Sequence, residues 1–92
     1  MARVELEIHN EHGLHARPAA LFVQTANRFQ SRITLQNVGR DEAKPVDAKS
    51  IMSVLTAGVH KGSQIALEAE GPDADEAIAA LTELVQSGMG EG

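Results

Sequence analysis

The sequence predicts an α+β fold: a two-layer open-faced sandwich with a four-stranded antiparallel sheet and three helices on one face, in the order βαββαβα. Three observations lead there. From Arg3 to His9, apolar Val4, Leu6 and Ile8 alternate with Arg3, Glu5, Glu7 and His9, the period-two signature of a half-buried strand. Ala19, Phe22, Val23, Ala26 and Phe29 recur at spacings of three and four, which lays one apolar stripe along a helix. Ala74, Ala77, Ile78, Leu81, Leu84 and Val85 repeat that pattern near the C-terminus. Strands with one apolar face need helices with one apolar stripe, and two layers satisfy both.

Each element follows from local signals. After the first strand, the loop Asn10 to Gly13 leads into a helix from about Ala16 to Arg28, whose Pro18 is tolerated because a first-turn N–H has no partner to lose. Ile33 and Leu35 alternate with Arg32, Thr34 and Gln36 in a second strand, and Asn37 to Arg40 reads as a turn. Glu42 to Val46 forms a third strand, placed on an edge because Pro45 cannot donate to a central ladder. Ser50 to Gly58 is a short helix that stops at glycine. The turn HKGS then leads to a fourth strand, Ser63 to Glu70, through Ile65, Leu67 and Ala69. Gly71-Pro72 breaks that strand, and Asp73 with Glu76 three residues on has the spacing of a capping box. The closing GMGEG is expected to fray, giving a single domain over residues 1–88 and a flexible tail over 89–92.

Composition narrows the function classes. A chain of 92 residues makes one domain that buries roughly 60% of its unfolded surface, so a deep active-site cleft is not expected. Thirteen acidic against eight basic residues, and Phe22 and Phe29 as the only aromatics, disfavour nucleic-acid binding by a basic, ring-studded face. Without cysteine there is no disulfide, thiolate metal site or redox thiol. No apolar run reaches the ~18 residues of a membrane span, and MARVELEIHN lacks the apolar region of a signal peptide. The expectation is a soluble, cytoplasmic monomer without membrane insertion. Such sandwiches serve many purposes, so the function must be read from a site.

The stretch EHGLHARPAA, Glu11 to Ala20, offers one. His15 falls at or near the N-cap of the first helix, where unpaired N–H groups and the positive end of the macrodipole favour an anion. The dipole opposes protonation of an imidazole there and so keeps it nucleophilic. A phosphoryl group on a ring nitrogen would bring a charge of about −1.5 to −2 to a place where the backbone amides of Ala16 and Arg17 and the Arg17 guanidinium can meet it. Gly13 permits a positive φ or a close approach, and Ala16, Ala19 and Ala20 leave the surface open to a partner. A histidine before a helix is also an ordinary polar turn residue, and the residues alone leave both readings open.

The segments GLHARPAALFV (Gly13 to Val23), DAKSIMSVLTAGV (Asp47 to Val59) and EAEGPDADEAIAAL (Glu68 to Leu81) resemble, in order and across essentially the whole chain, the histidine-containing phosphocarrier protein HPr family of the bacterial phosphotransferase system. That resemblance implies a phosphocarrier and not an enzyme. His15 would accept a phosphoryl group on Nδ1 from phosphoenolpyruvate-charged enzyme I and pass it to an enzyme IIA domain, with Arg17 stabilising the phosphoryl group. No cofactor is implied. Ser50 matches the serine that an ATP-dependent HPr serine kinase/phosphorylase modifies in relatives from some Gram-positive bacteria, although by its residue type alone it is a helix N-cap. The segment Arg40 to Pro45 is longer than in many relatives. Gln24, Asn27 and Ser53 are uncharged where many relatives are basic, which bears on partner identity and not on the chemistry.

The second helix carries more apolar residues than one face can bury. Val54 and Ala57 suit the sheet side, while Ile51, Met52 and Leu55 form an exposed cluster expected, with Ala16 and Ala20, to dock partners. His9, His12 and His15 lie across a strand end and a loop without a strong carboxylate cluster, so no metal site is expected, and His60 in VHKG reads as a turn residue. Two alternatives stand beside the free carrier. One is an HPr-like domain of a multiphosphoryl transfer protein or of a nitrogen or dihydroxyacetone branch; the other is a regulatory binding module acting through Ser50.

Overall fold

The computed structural model describes residues 1–40 and 43–89. Its elements are β1 (Ala2–Glu7), α1 (Ala16–Ala26), β2 (Arg32–Asn37), β3 (Val46–Asp47), α2 (Ile51–Thr56), β4 (Gln64–Glu70) and α3 (Ala74–Gln86). The strands form one antiparallel sheet in the order β1-β4-β2-β3, with β3 on an edge. Alternation fixes which face each side chain joins. Val4, Leu67 and Leu35 stand side by side across β1, β4 and β2 on the inner face, whereas their neighbours Arg3, Glu68 and Thr34 line the outer one. On the outer face Arg3 pairs with Glu5 at 2.7 Å and with Glu68 at 3.1 Å, exposed contacts of small energetic weight.

The helices cover the inner face. Phe22 and Ala26 of α1, Val54 of α2 and Leu81 and Val85 of α3 join Ile33, Leu35, Ile65 and Leu67 of the sheet in one buried cluster. Complete burial of a side chain such as Phe22 contributes about 1.5–3 kcal/mol. The two long helices therefore take their places from the stripes visible in the sequence. Asn27, at the C-cap of α1, donates from Nδ2 to the carbonyls of Val23 at 2.9 Å and Lys49 at 3.1 Å, which ties the end of α1 to the entrance of α2.

Four departures from the sequence-based expectation have a tertiary reason. The α1 helix ends at Ala26, yet Phe29 still packs on the core from the connecting turn, so an apolar periodicity outlasts the helix. The third strand is only Val46–Asp47, because β2 offers it Thr34 and Leu35 alone as partners; Glu42, the expected start, lies outside the described residues. Asp73 stands at the N-cap of α3 but its side chain makes no bond to that helix, since Gln30 and Ser31 occupy its oxygens. Met89, expected in the flexible tail, is fully buried: the chain turns at Gly88 and returns its side chain to the core. No helix among the described residues is long and apolar enough to cross a membrane.

Candidate functional site

Two loops at one end of the sheet make the site. The β1–β4 register pairs Glu7 with Gln64, so the chain leaving β1 and the chain entering β4 run side by side beyond the sheet. The Ile8 N–H donates to the Ser63 carbonyl at 2.8 Å, the Gly62 N–H to the Ile8 carbonyl at 2.6 Å, and the Leu14 N–H to the Val59 carbonyl at 3.1 Å. Gly13 makes the close approach possible. Its φ is 58°, and a Cβ there would stand 2.5 Å from the Val59 carbonyl oxygen and 2.7 Å from the His60 Cα. Asn10 Nδ2 holds the Gly13 carbonyl at 3.0 Å, and Leu14 is sunk in the core.

With Leu14 pinned, His15 emerges at the N-cap of α1 with extended backbone, φ −128° and ψ 156°. Its side chain makes no capping bond to the helix, unlike the usual Ser, Asp or Asn at that place. The half-buried imidazole is thus held by its backbone while its ring stays available. Ala16 follows at φ 52°, a left-handed conformation that costs a residue with a Cβ about 1–3 kcal/mol and is typical of constrained sites. The first-turn N–H groups of α1 have no carbonyl one turn back, and no acidic side chain sits in that turn. Arg17 is exposed and its guanidinium makes no hydrogen bond or ion pair with a described residue. Pro18 and Ala19 are buried and Ala20 is half-buried. The helix start therefore presents an imidazole ring, first-turn amides without intrahelical partners and an uncommitted cation on an accessible surface.

The structure brings one further residue to this place. His60 Nδ1 lies 3.3 Å from His15 Nε2, the ring centroids are 5.1 Å apart and the rings are inclined at 32°. His60 is more than the turn residue its surroundings in sequence suggest. Only the β1–β4 pairing, which no local pattern reports, could have placed it.

Ser50 caps α2, its Oγ accepting from the Ser53 N–H at 3.3 Å. Beyond it Ile51, Met52 and Leu55 are 39%, 68% and 37% exposed, while Val54 is fully buried and Ala57 packs partly against the core. The apolar cluster of α2 is thus open to solvent, on a helix packed against α1. Among the described residues no group of three or more His, Cys, Asp or Glu could hold a metal ion.

Known proteins similar to this chain in sequence and in fold agree with one another. The family model described as "PTS HPr component phosphorylation site" matches residues 2–87. The crystal structure of HPr-C-His from Thermoanaerobacter tengcongensis superposes with a TM-score of 0.91 at 50% identity, covering 100% of this chain and 99% of that one. The phosphocarrier protein HPr from Bacillus anthracis gives a TM-score of 0.82 at 42% identity, covering 92% and 96%. The multiphosphoryl transfer protein of Salmonella typhimurium is 41% identical over 88 residues, which are 96% of this chain and 23% of that protein. The chain thus spans about a quarter of the length of the curated relative it matches. With the family model extending across nearly every residue and the whole architecture shared, the chain belongs to the HPr phosphocarrier family of the phosphotransferase system.

Proposed function

We propose that this chain is a phosphoryl carrier in which His15 accepts a phosphoryl group from phosphorylated enzyme I and delivers it to an enzyme IIA domain. The observation that carries this reading is the ring of His15, which stands at a helix start without capping it, beside an uncommitted Arg17. The Nδ1 lone pair attacks phosphorus as the donor's P–N bond breaks, and the reverse displacement on His15 completes delivery. First-turn amides and Arg17 meet the charge of about −1.5 to −2 that arrives. The helix end adds only about 0.3–1 kcal/mol, modest enough that the group is not trapped. The chain then acts as a substrate of phosphotransferases and not as an autonomous catalyst. Ile51, Met52 and Leu55, with Ala16 and Ala20, form the surface on which successive partners dock, and a flexible Met suits such reuse.

Incubation with phosphoenolpyruvate and enzyme I tests the reading. An acid-labile phosphate that disappears in His15→Ala is expected, and absence of any transfer to the wild type would overturn it.

The relatives favour a second setting for the same chemistry. Because the matched multiphosphoryl transfer protein is about four times as long as its matching segment, the chain also suits the HPr domain of such a protein. Detection of the native protein at a mass far above 9.8 kDa would select that setting. Ser50 is the position for regulatory phosphorylation. An acid-stable phosphate formed with ATP and an HPr serine kinase, and lost in Ser50→Ala, is the expected result where such a kinase acts.

A further inference from the structure

The contact between His15 and His60 has a chemical direction. Two neutral imidazole nitrogens 3.3 Å apart share one proton, so either His15 Nε2–H donates to the His60 Nδ1 lone pair or the reverse holds. The two arrangements differ at the reacting atom. In the first, the proton of His15 is on Nε2 and Nδ1 keeps its lone pair. In the second, His60 supplies the proton, His15 carries its own on Nδ1, and that nitrogen is no nucleophile. Nδ1, the ring nitrogen nearer the backbone, is the one not engaged by His60, so only the first arrangement leaves it a lone pair.

We propose that His60 is a positioning and proton-holding residue for phosphoryl transfer at His15. The inference rests on the carrier reading of His15. On loading, the Nδ1 lone pair forms the new N–P bond, the donor's P–N bond breaks, and the ring of His15 is left cationic with its proton on Nε2. The His60 Nδ1 lone pair takes that proton, so His60 becomes imidazolium and the phosphohistidine ring neutral. A neutral ring is a poor leaving group and keeps its phosphoryl group. On delivery the proton returns from His60 to Nε2, and neutral imidazole leaves as the P–N bond breaks. Atoms and charge balance in both directions, and no outside reagent is needed. Nearby charge comes from Arg17 in the first turn of α1, and from Lys61, which lies 3.8 Å from Glu11 in the loop that also carries His12.

Both halves are measurable on the intact chain, and because His60 is exposed its substitution is expected to leave the fold intact. In uniformly ¹⁵N-labelled protein, a through-bond coupling between His15 Nε2 and His60 Nδ1, with the His15 proton on Nε2, is expected. In His60→Ala the share of His15 protonated on Nδ1 should rise about fivefold, the equivalent of losing one ordinary hydrogen bond. With enzyme I and phosphoenolpyruvate, kcat for phosphorylation of His60→Ala should fall at least tenfold with KM within twofold. That is less than the full 10²–10⁴-fold of proton-transfer catalysis, because water reaches the pair. His60→Gln can accept from Nε2–H but cannot take up the proton, so it should restore the tautomer and leave kcat low. An unchanged tautomer in His60→Ala overturns the positioning role, and a full kcat in His60→Gln overturns the proton-holding role. Either result, obtained while the wild type still acquires acid-labile phosphate on His15, leaves the carrier reading standing. Failure of the wild type to take up phosphate removes the carrier reading itself.

Discussion

Asp73 and Ser31, 42 residues apart in sequence, grip each other across the molecule: the Ser31 hydroxyl donates to Asp73 Oδ1 at 2.5 Å, and the Asp73 N–H donates back to that hydroxyl at 3.2 Å. The backbone N–H groups of Ser31 and Gln30 complete the carboxylate's set at 2.8 and 2.9 Å. A single acidic side chain thereby locks the entry of β2 to the start of α3. The Ser31 hydroxyl first, and the Gln30 N–H next, hold its carboxyl below the ordinary carboxylate range, with burial opposing them.

A lowered carboxyl pKa stabilises the fold above the unfolded value of about 3.9, and that contribution disappears as pH falls through the folded value. Asp73→Asn should therefore be less stable than wild type at pH 7 and lose this deficit on acidification. Urea unfolding of both proteins at pH 7 and pH 3 checks it. A deficit of equal size at both values would show that the ionised carboxylate is not its source.

Arg17→Ala should leave thermal stability unchanged, because the guanidinium has no partner among the described residues. Phosphoryl transfer to His15 should slow by roughly tenfold to a hundredfold, the size of a charge-assisted hydrogen bond worth about 1.5–3 kcal/mol. Arg17→Lys should fall between, since an ammonium supplies charge without the planar fork. Rapid-quench measurement with labelled phosphoenolpyruvate and enzyme I distinguishes the three proteins.

On α2, Leu55→Glu should keep the fold and raise the KM of enzyme I for this chain about tenfold, a typical cost for an interface anchor. If melting is unaltered and KM does not move, the exposed Ile51, Met52 and Leu55 cluster is not where enzyme I docks.

Met89→Ala should destabilise the domain by about 2–5 kcal/mol, as expected for truncating a buried side chain. Denaturant titration gives the answer directly. A change below about 0.5 kcal/mol would mean that the C-terminal turn contributes as little as an exposed surface position.

Much of this was legible in the residues. Val4, Leu6 and Ile8, or Ala77, Leu81 and Val85, declare a strand and a helix because each pattern depends only on neighbours along the chain. The specific block around His15 and Arg17 was equally local: a glycine, a histidine, an arginine and a proline whose chemistry and helix start lie within a few residues. The open cluster on α2 was also foreseeable, since a short helix cannot bury Ile51, Met52, Val54 and Leu55 on one face.

The sequence by itself thus determined the layers, the edge position of the third strand and the helix start at His15, all consequences of short-range periodicity and turn chemistry. Tertiary structure alone decided where Asp73 spends its hydrogen bonds, that Met89 folds back into the core, and that His60 stands against His15. Each of these pairs residues far apart in the chain. Their meeting is set by strand register and by the space left between packed layers, which no window of neighbouring residues contains.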